Sequence, residues 1–297
     1  MLKKFRLAHP YLFAVAIYLV FFVTMNATAW VSYRVADLLA GGKAPDSVDP
    51  VIDIICEVVP AVIFCVILSK IGKLDLLKRR GRGFWAGLVV GAPCLAYIAY
   101  ITISSFIVGQ TEYGTTNFAA TSVAYVVSML MVGLTEEIEA RALIGETFLE
   151  HFGTKRAGAI KAAVLSGVIF GAMHMTNVIT GTLGDTVVQV ILCITGGILY
   201  GAIYFRSGNL WSIALIHGLN DVGASIAVWL FQGGIAVEEA ASSAITLGDL
   251  TYPFIVGVLD IAIALYLLRP QKIEQVAESW PEIAEDGDKA EIVEQAA

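Results

Sequence analysis

The chain has 297 residues, of which 57% are apolar and only 15% charged, with a net charge of −7 and a mean hydropathy of +0.76. A soluble domain carries about a quarter charged residues, so these values exclude an ordinary water-soluble fold and point to an integral membrane protein. A nucleic-acid partner is excluded too, because no basic face is present. The alternating segments of roughly 10 residues that build a membrane β-barrel are likewise absent, which leaves an all-α, polytopic membrane helix bundle.

In chain order, apolar runs near the roughly 20 residues needed to cross a bilayer fall at 11–33, 51–71, 84–108, 119–150, 158–177, 186–205, 210–231 and 251–268. They predict about eight transmembrane helices in one domain, residues 1–269. The first run follows a basic start and contains Ala27-Thr28-Ala29, as a cleavable signal peptide would. It is longer than a signal core, which favours a retained helix. Cys56, Cys65, Cys94 and Cys193 each lie inside an apolar run without a C-x-x-C pair; packing, rather than a disulfide or a thiolate metal site, is their expected role. Gly87/Gly91, Gly167/Gly171 and Gly197/Gly201 have the spacing of small-residue helix contacts. Residues 176–186 continue a span poorly and read as a broken or re-entrant segment. Trp30, Tyr33, Trp85, Trp229 and Tyr252 fall where interfacial aromatics are expected.

Basic residues set the orientation, because Lys and Arg collect in short cytoplasmic connections. Lys3, Lys4 and Arg6 precede the first run, Lys70, Lys73, Lys78, Arg79, Arg80 and Arg82 fill the second connection, and Lys155, Arg156 and Lys161 the fourth. Arg206 sits in the sixth, and Arg269 and Lys272 follow the last run, whereas the alternate connections hold Arg34 and Lys43. Both termini are therefore expected in the cytoplasm of a multi-pass protein of the cell membrane. Residues 270–297 are rich in Glu and Asp and read as a solvated, disordered cytoplasmic tail.

Against this apolar background three polar strings stand out: Glu136-Glu137 with Arg141, Phe170 with His174, and His217 with Asn220-Asp221. Ionisable groups are costly in hydrocarbon, so their confinement to three apolar runs points to one shared polar site. On a helix Glu137 and Arg141 are i,i+4 neighbours and can pair, while Glu136 points about 100° away, free to act as a general base. A helix emerging into water with ordinary surface pairs is the competing interpretation of this string. With a turn near Gly153–Lys155, Glu136 lies 19 residues before Lys155 and His174 lies 19 after it, so an antiparallel hairpin brings them level. The tip of that hairpin, with Glu146 and Glu150, would project into the cytosol. His217 and Asp221, at i,i+4, share a face with Asn220 beside them. The expected result is a polar cavity in the cytoplasmic leaflet.

Two His, one or two Glu and an Asp are also zinc-ligand types, although no H-E-x-x-H is present. A carboxylate and an imidazole can activate water without a metal, so no cofactor is required, and zinc stays open at this stage. A proton relay in a transporter would use similar residues, and Asp53, Glu57 and Asp260 lie within apolar runs as well. Against a transporter, no internal repeat is visible.

The ordered strings Glu-Glu-x-x-x-Arg (136–141), Phe-x-x-x-His (170–174) and His-x-x-x-(Asn/Asp) (217–221) resemble the CAAX-protease and bacteriocin-processing family, the Abi-type intramembrane glutamate proteases. The resemblance covers about 119–231. It implies an intramembrane endopeptidase acting on a peptide or protein substrate, lipid-modified or otherwise membrane-associated, within the lipid bilayer. Carried over by position, it implies that Glu136 and His174 activate water, that His217 and Asp221 stabilise the oxyanion, and that Glu137 and Arg141 organise the site. Ala140 and Ala142 replace the aromatic and Gly that commonly flank the motif Arg, and Glu139 adds a charge. Asp221 stands where Asn is frequent. An ionised Asp would repel an oxyanion, so either it is protonated, or it orients His217, or Asn220 supplies the donor. The alternative within the same fold is a non-catalytic binding or immunity protein.

Overall fold

The computed structural model describes residues 1–78, 82–113, 120–179, 181–231 and 247–285, and all regular structure among them is helical. The longer helices, in chain order, are α1 (Leu2–Ala8), α2 (Pro10–Ala40), α3 (Asp49–Ile71), α4 (Phe84–Val90), α5 (Ala92–Tyr113) and α6 (Ala120–Glu137). They continue with α7 (Glu146–Phe152), α8 (Arg156–Met173), α9 (Leu183–Ser207), α10 (Leu210–Phe231), α11 (Leu247–Leu267) and α12 (Glu274–Ser279). A π-helical stretch, Ile138–Gly145, joins α6 to α7, and a 3-10 turn, His174–Ile179, follows α8.

Among the described residues six helices, rather than the eight expected, are long and apolar enough to cross a membrane: α2, α3, α5, α8 with its 3-10 turn, α9 and α11. The expected runs at 119–150 and 210–231 hold α6, which carries Glu136 and Glu137, and α10, which carries His217, Asn220 and Asp221. Both pack inside the bundle, α6 against α3 and α10, and α10 also against α5. The outer helices leave apolar side chains exposed, among them Val15, Leu19 and Val23 on α2 and Phe254, Ile255 and Val258 on α11. That is the surface of a multi-pass membrane protein, whose exterior meets lipid rather than water.

Small residues bring the helices together. A Cβ on Gly167 would lie 2.6 Å from the Ile198 nitrogen, and one on Gly171 2.7 Å from that of Ile194, so α8 and α9 meet backbone to backbone. The same holds for α6 and α10. A Cβ on Gly133 would fall 2.8 Å from the Ala214 carbonyl oxygen, and one on Gly218 2.8 Å from the Leu130 Cα. Because Gly218 adjoins His217, Gly218→Ala is expected to force α6 and α10 apart and to cost about 1–3 kcal/mol of stability. Thermal melting in detergent, against Gly42→Ala as a control with open space around it, checks this.

Two turns place the polar strings. Gly153, at φ 81°, reverses the chain between α7 and α8, where the hairpin was expected to turn. Gly208, at φ 63°, takes the left-handed conformation that ends α9. The Asn209 side chain then accepts from the Ser212 N–H at 2.9 Å, capping α10. Residues 176–186 divide between the 3-10 turn and the start of α9, whose Thr182 cap accepts from the Asp185 N–H at 3.1 Å. The span is therefore broken there.

Three expectations are corrected. The hairpin tip does not project freely: Glu146 is fully buried, 2.5 Å from Arg6 Nη1 and 2.5 Å from Lys73 Nζ, and Glu150 also pairs with Arg6. Burial pushes the Lys73 ammonium down, but Glu146 and Glu150 outweigh it and hold the group above its ordinary value. Nor is the acidic segment after Pro270 wholly a solvated tail. Trp280 is fully buried and donates to the Phe205 carbonyl at 2.8 Å, and Ser279 donates to that of Arg206 at 3.1 Å. Two of the carbonyls left open at the end of α9 are thereby satisfied. Residues 286–297, like Arg79 and Arg80, lie outside the described residues. Finally, Trp30, Trp85 and Tyr252 are exposed as interfacial residues should be, but Trp229 stacks on Tyr125.

Candidate active site

The α6 helix delivers Glu136 and Glu137 at its end, and the wider π turn that follows buries all eight of its residues. Such stretches recur at functional sites. Arg141 Nε donates to Glu137 Oε2 at 2.8 Å and Nη2 to Oε1 at 3.4 Å, with both side chains fully buried. A surface pair on a helix emerging into water is therefore ruled out. Glu136 points elsewhere, into a cavity.

The third string meets the first. His217 Nδ1 lies 3.0 Å from Glu137 Oε1; an ionised carboxylate can only accept, so Nδ1 carries hydrogen. The other ring nitrogen, Nε2, is 3.6 Å from Glu136 Oε2 and 3.5 Å from Asp221 Oδ2. Asp221 Oδ2 is buried without a hydrogen-bond partner.

The second string arrives from α8. That helix ends at Met173, and His174 caps it, its Nδ1 standing 2.9 Å from the Phe170 carbonyl. A carbonyl also only accepts, so in the neutral imidazole Nδ1 holds the proton and Nε2 is left with a lone pair. The Phe170 ring ties the strings together. It lies edge-on to His174 at 5.0 Å and to His217 at 5.7 Å, and the Arg141 guanidinium sits 5.3 Å from its centroid.

Glu136, His174, His217, Asn220 and Asp221 all line one cavity of about 1100 Å³, while Glu137 and Arg141 stand behind its wall. Tyr200, whose ring lies 5.3 Å from that of His217, lines the cavity too. Its role was not read from the sequence, where it is one aromatic among eleven tyrosines. Cys94 and Cys193, expected to be packing residues, also reach the cavity surface. Glu139 is fully buried with no hydrogen bond to either carboxylate oxygen, close to Glu57 and Glu136, and does not line the cavity.

Among the described residues no three or more His, Cys, Asp or Glu side chains are grouped so as to hold an ion. Zinc catalysis needs three protein ligands and an open position, so the donor set does not fit. Strong chelation is expected to leave activity within about twofold, since no metal-bound water is needed for a carboxylate to act as base. Loss of activity that stoichiometric zinc restores would contradict this.

Comparison with known proteins supports the family resemblance. Residues 117–223 match the family model described as Rce1-like, type II CAAX prenyl endopeptidase Rce1-like. The matched stretch contains all three polar strings. No curated protein and no solved structure matches the chain.

Proposed function

We propose that this protein is an intramembrane endopeptidase that hydrolyses a peptide bond with water activated by Glu136 and His174. The observation that carries the proposal is the convergence of those two side chains with His217 and Asp221 on one cavity within apolar helices. At family level the match is to peptide-bond hydrolases. The eight-span topology with both termini cytoplasmic belongs to the same proposal, and it places the cavity within reach of the cytosol or the inner leaflet of the cell membrane.

The chemistry follows from the donors and acceptors. Glu136 and the free Nε2 of His174 accept a proton from water as its oxygen attacks the scissile carbonyl carbon. Charge develops on the carbonyl oxygen. His217 gives Nδ1–H to Glu137 and turns Nε2 toward two carboxylates, an environment that suits an imidazolium donating from both nitrogens. That Nε2–H, with the Asn220 amide beside it, supplies the oxyanion donors. In this scheme Asp221, 3.5 Å from that Nε2, orients His217 and balances its charge. Collapse of the intermediate returns the proton to the departing amine, and the C–N bond breaks to give a carboxylic acid and an amine.

Purified protein in lipid, incubated with a peptide library and read by mass spectrometry, tests the proposal. New termini should appear with wild type and not with Glu136→Gln. Their absence with wild type, alongside retained peptide binding, would favour the non-catalytic member of the same fold.

A further inference from the structure

The charge inventory of the cavity is one-sided. Its described lining residues include three carboxylates, Glu136, Asp221 and Asp260, and two imidazoles, His174 and His217, but no Lys or Arg. The one guanidinium nearby, Arg141, is buried behind the wall on Glu137. With its carboxylates ionised, the lining stays negative even when both imidazoles are protonated.

Asp260 is the carboxylate that the hydrolytic chemistry leaves unused. It comes from α11, beyond the stretch that matches the family model. Along that helix its cavity-facing neighbours Val256, Leu259 and Ile263 are apolar. Among the described residues its one hydrogen-bond donor is the Thr195 hydroxyl at 3.2 Å. That single proton is also within reach of the Ile191 and Leu192 carbonyls, at 3.2 and 3.3 Å. An ionisable group facing a cavity inside a membrane bundle is expected to meet a partner, and among the described residues no Lys or Arg lines the cavity to meet it. Low-dielectric walls strengthen the attraction for a positive guest and the repulsion of a negative one.

We infer that the substrate brings the missing cation: the cavity takes a peptide segment with a Lys or Arg side chain near the scissile bond, and Asp260 receives it. This rests on the endopeptidase function proposed above, whose substrate class it narrows.

The test uses the full chain in lipid nanodiscs. Peptides matched except for Lys, Gln or Glu at each position flanking the cleaved bond compete in one reaction, read as relative kcat/KM by mass spectrometry. At one position at least, Lys should be preferred over Glu by about tenfold or more. Asp260→Asn should shrink that ratio toward one, and Asp260→Lys should invert it, with melting measured alongside. A second arm measures binding of the same labelled peptides to Glu136→Gln. Preferential binding of the Lys peptide there, without any cleavage by wild type, would support the charge selection while removing the peptidase function. Cleavage with no charge preference, or a preference that survives both Asp260 variants, would overturn the inference and leave the peptidase function standing.

Discussion

Arg141→Ala should lower stability by about 3–5 kcal/mol, the cost of leaving a buried charge without its partner. Neither Arg141 nor Glu137 is exposed, and the Glu137 carboxylate would keep only His217 as a donor partner. The guanidinium also closes over Phe170, so the aromatic contact that joins the three strings loosens with it. Arg141→Lys keeps a charge but lacks the planar fork that bonds both carboxylate oxygens, and it should recover only part of the loss. Chemical or thermal unfolding in detergent checks both variants. A change below about 1 kcal/mol for the alanine variant, the value of an exposed pair, would show that the pair is not the anchor of the site.

Glu136→Gln should have the second large effect, and on rate instead of stability. Removal of a positioned general base costs about 10²–10⁴-fold, and the loss should appear in kcat more than in KM. Little unfolding is expected, because Glu136 lines the cavity and its 3.6 Å approach to His217 is too long for a strong hydrogen bond. His217→Ala, which deletes the proposed oxyanion donor, should lower activity by about 10²–10³-fold. Equal losses of rate and melting temperature in Glu136→Gln would instead mark a structural carboxylate.

Much of the site is legible from sequence because its geometry is local. The i,i+4 spacing of Glu137 and Arg141, and of His217 and Asp221, follows from helical periodicity, and both pairs are within 4 Å in the structure. Glu136 and His174 line one cavity, and Gly153 turns the chain between them where an antiparallel hairpin requires it. What depends on tertiary contact was less legible. Glu146 looks like a cytosolic residue in one dimension and is buried only because Arg6 and Lys73 come from distant elements. Trp280 lies in an acidic stretch whose composition reads as disordered, yet a single indole finds the open end of α9. Composition alone cannot tell a helix bearing an active site from a helix too polar to cross, and α6 and α10 are of the first kind in the function proposed here. Asp260 was visible as a charge in an apolar run; that it faces the same cavity as His217 was not.

The most direct measurement concerns how the bond is broken. Cys94 and Cys193 also line the cavity, so a thiolate attacking the carbonyl through an acyl intermediate is the competing chemistry. Cleavage of one defined peptide by the lipid-reconstituted protein in ¹⁸O-labelled water, with hydroxylamine present, separates the two by mass spectrometry. Direct attack by water activated at Glu136 and His174 predicts a new C-terminus carrying one labelled oxygen, no hydroxamate, and the same product from a variant with Cys94 and Cys193 replaced by alanine. A hydroxamate product that disappears with either cysteine would contradict it.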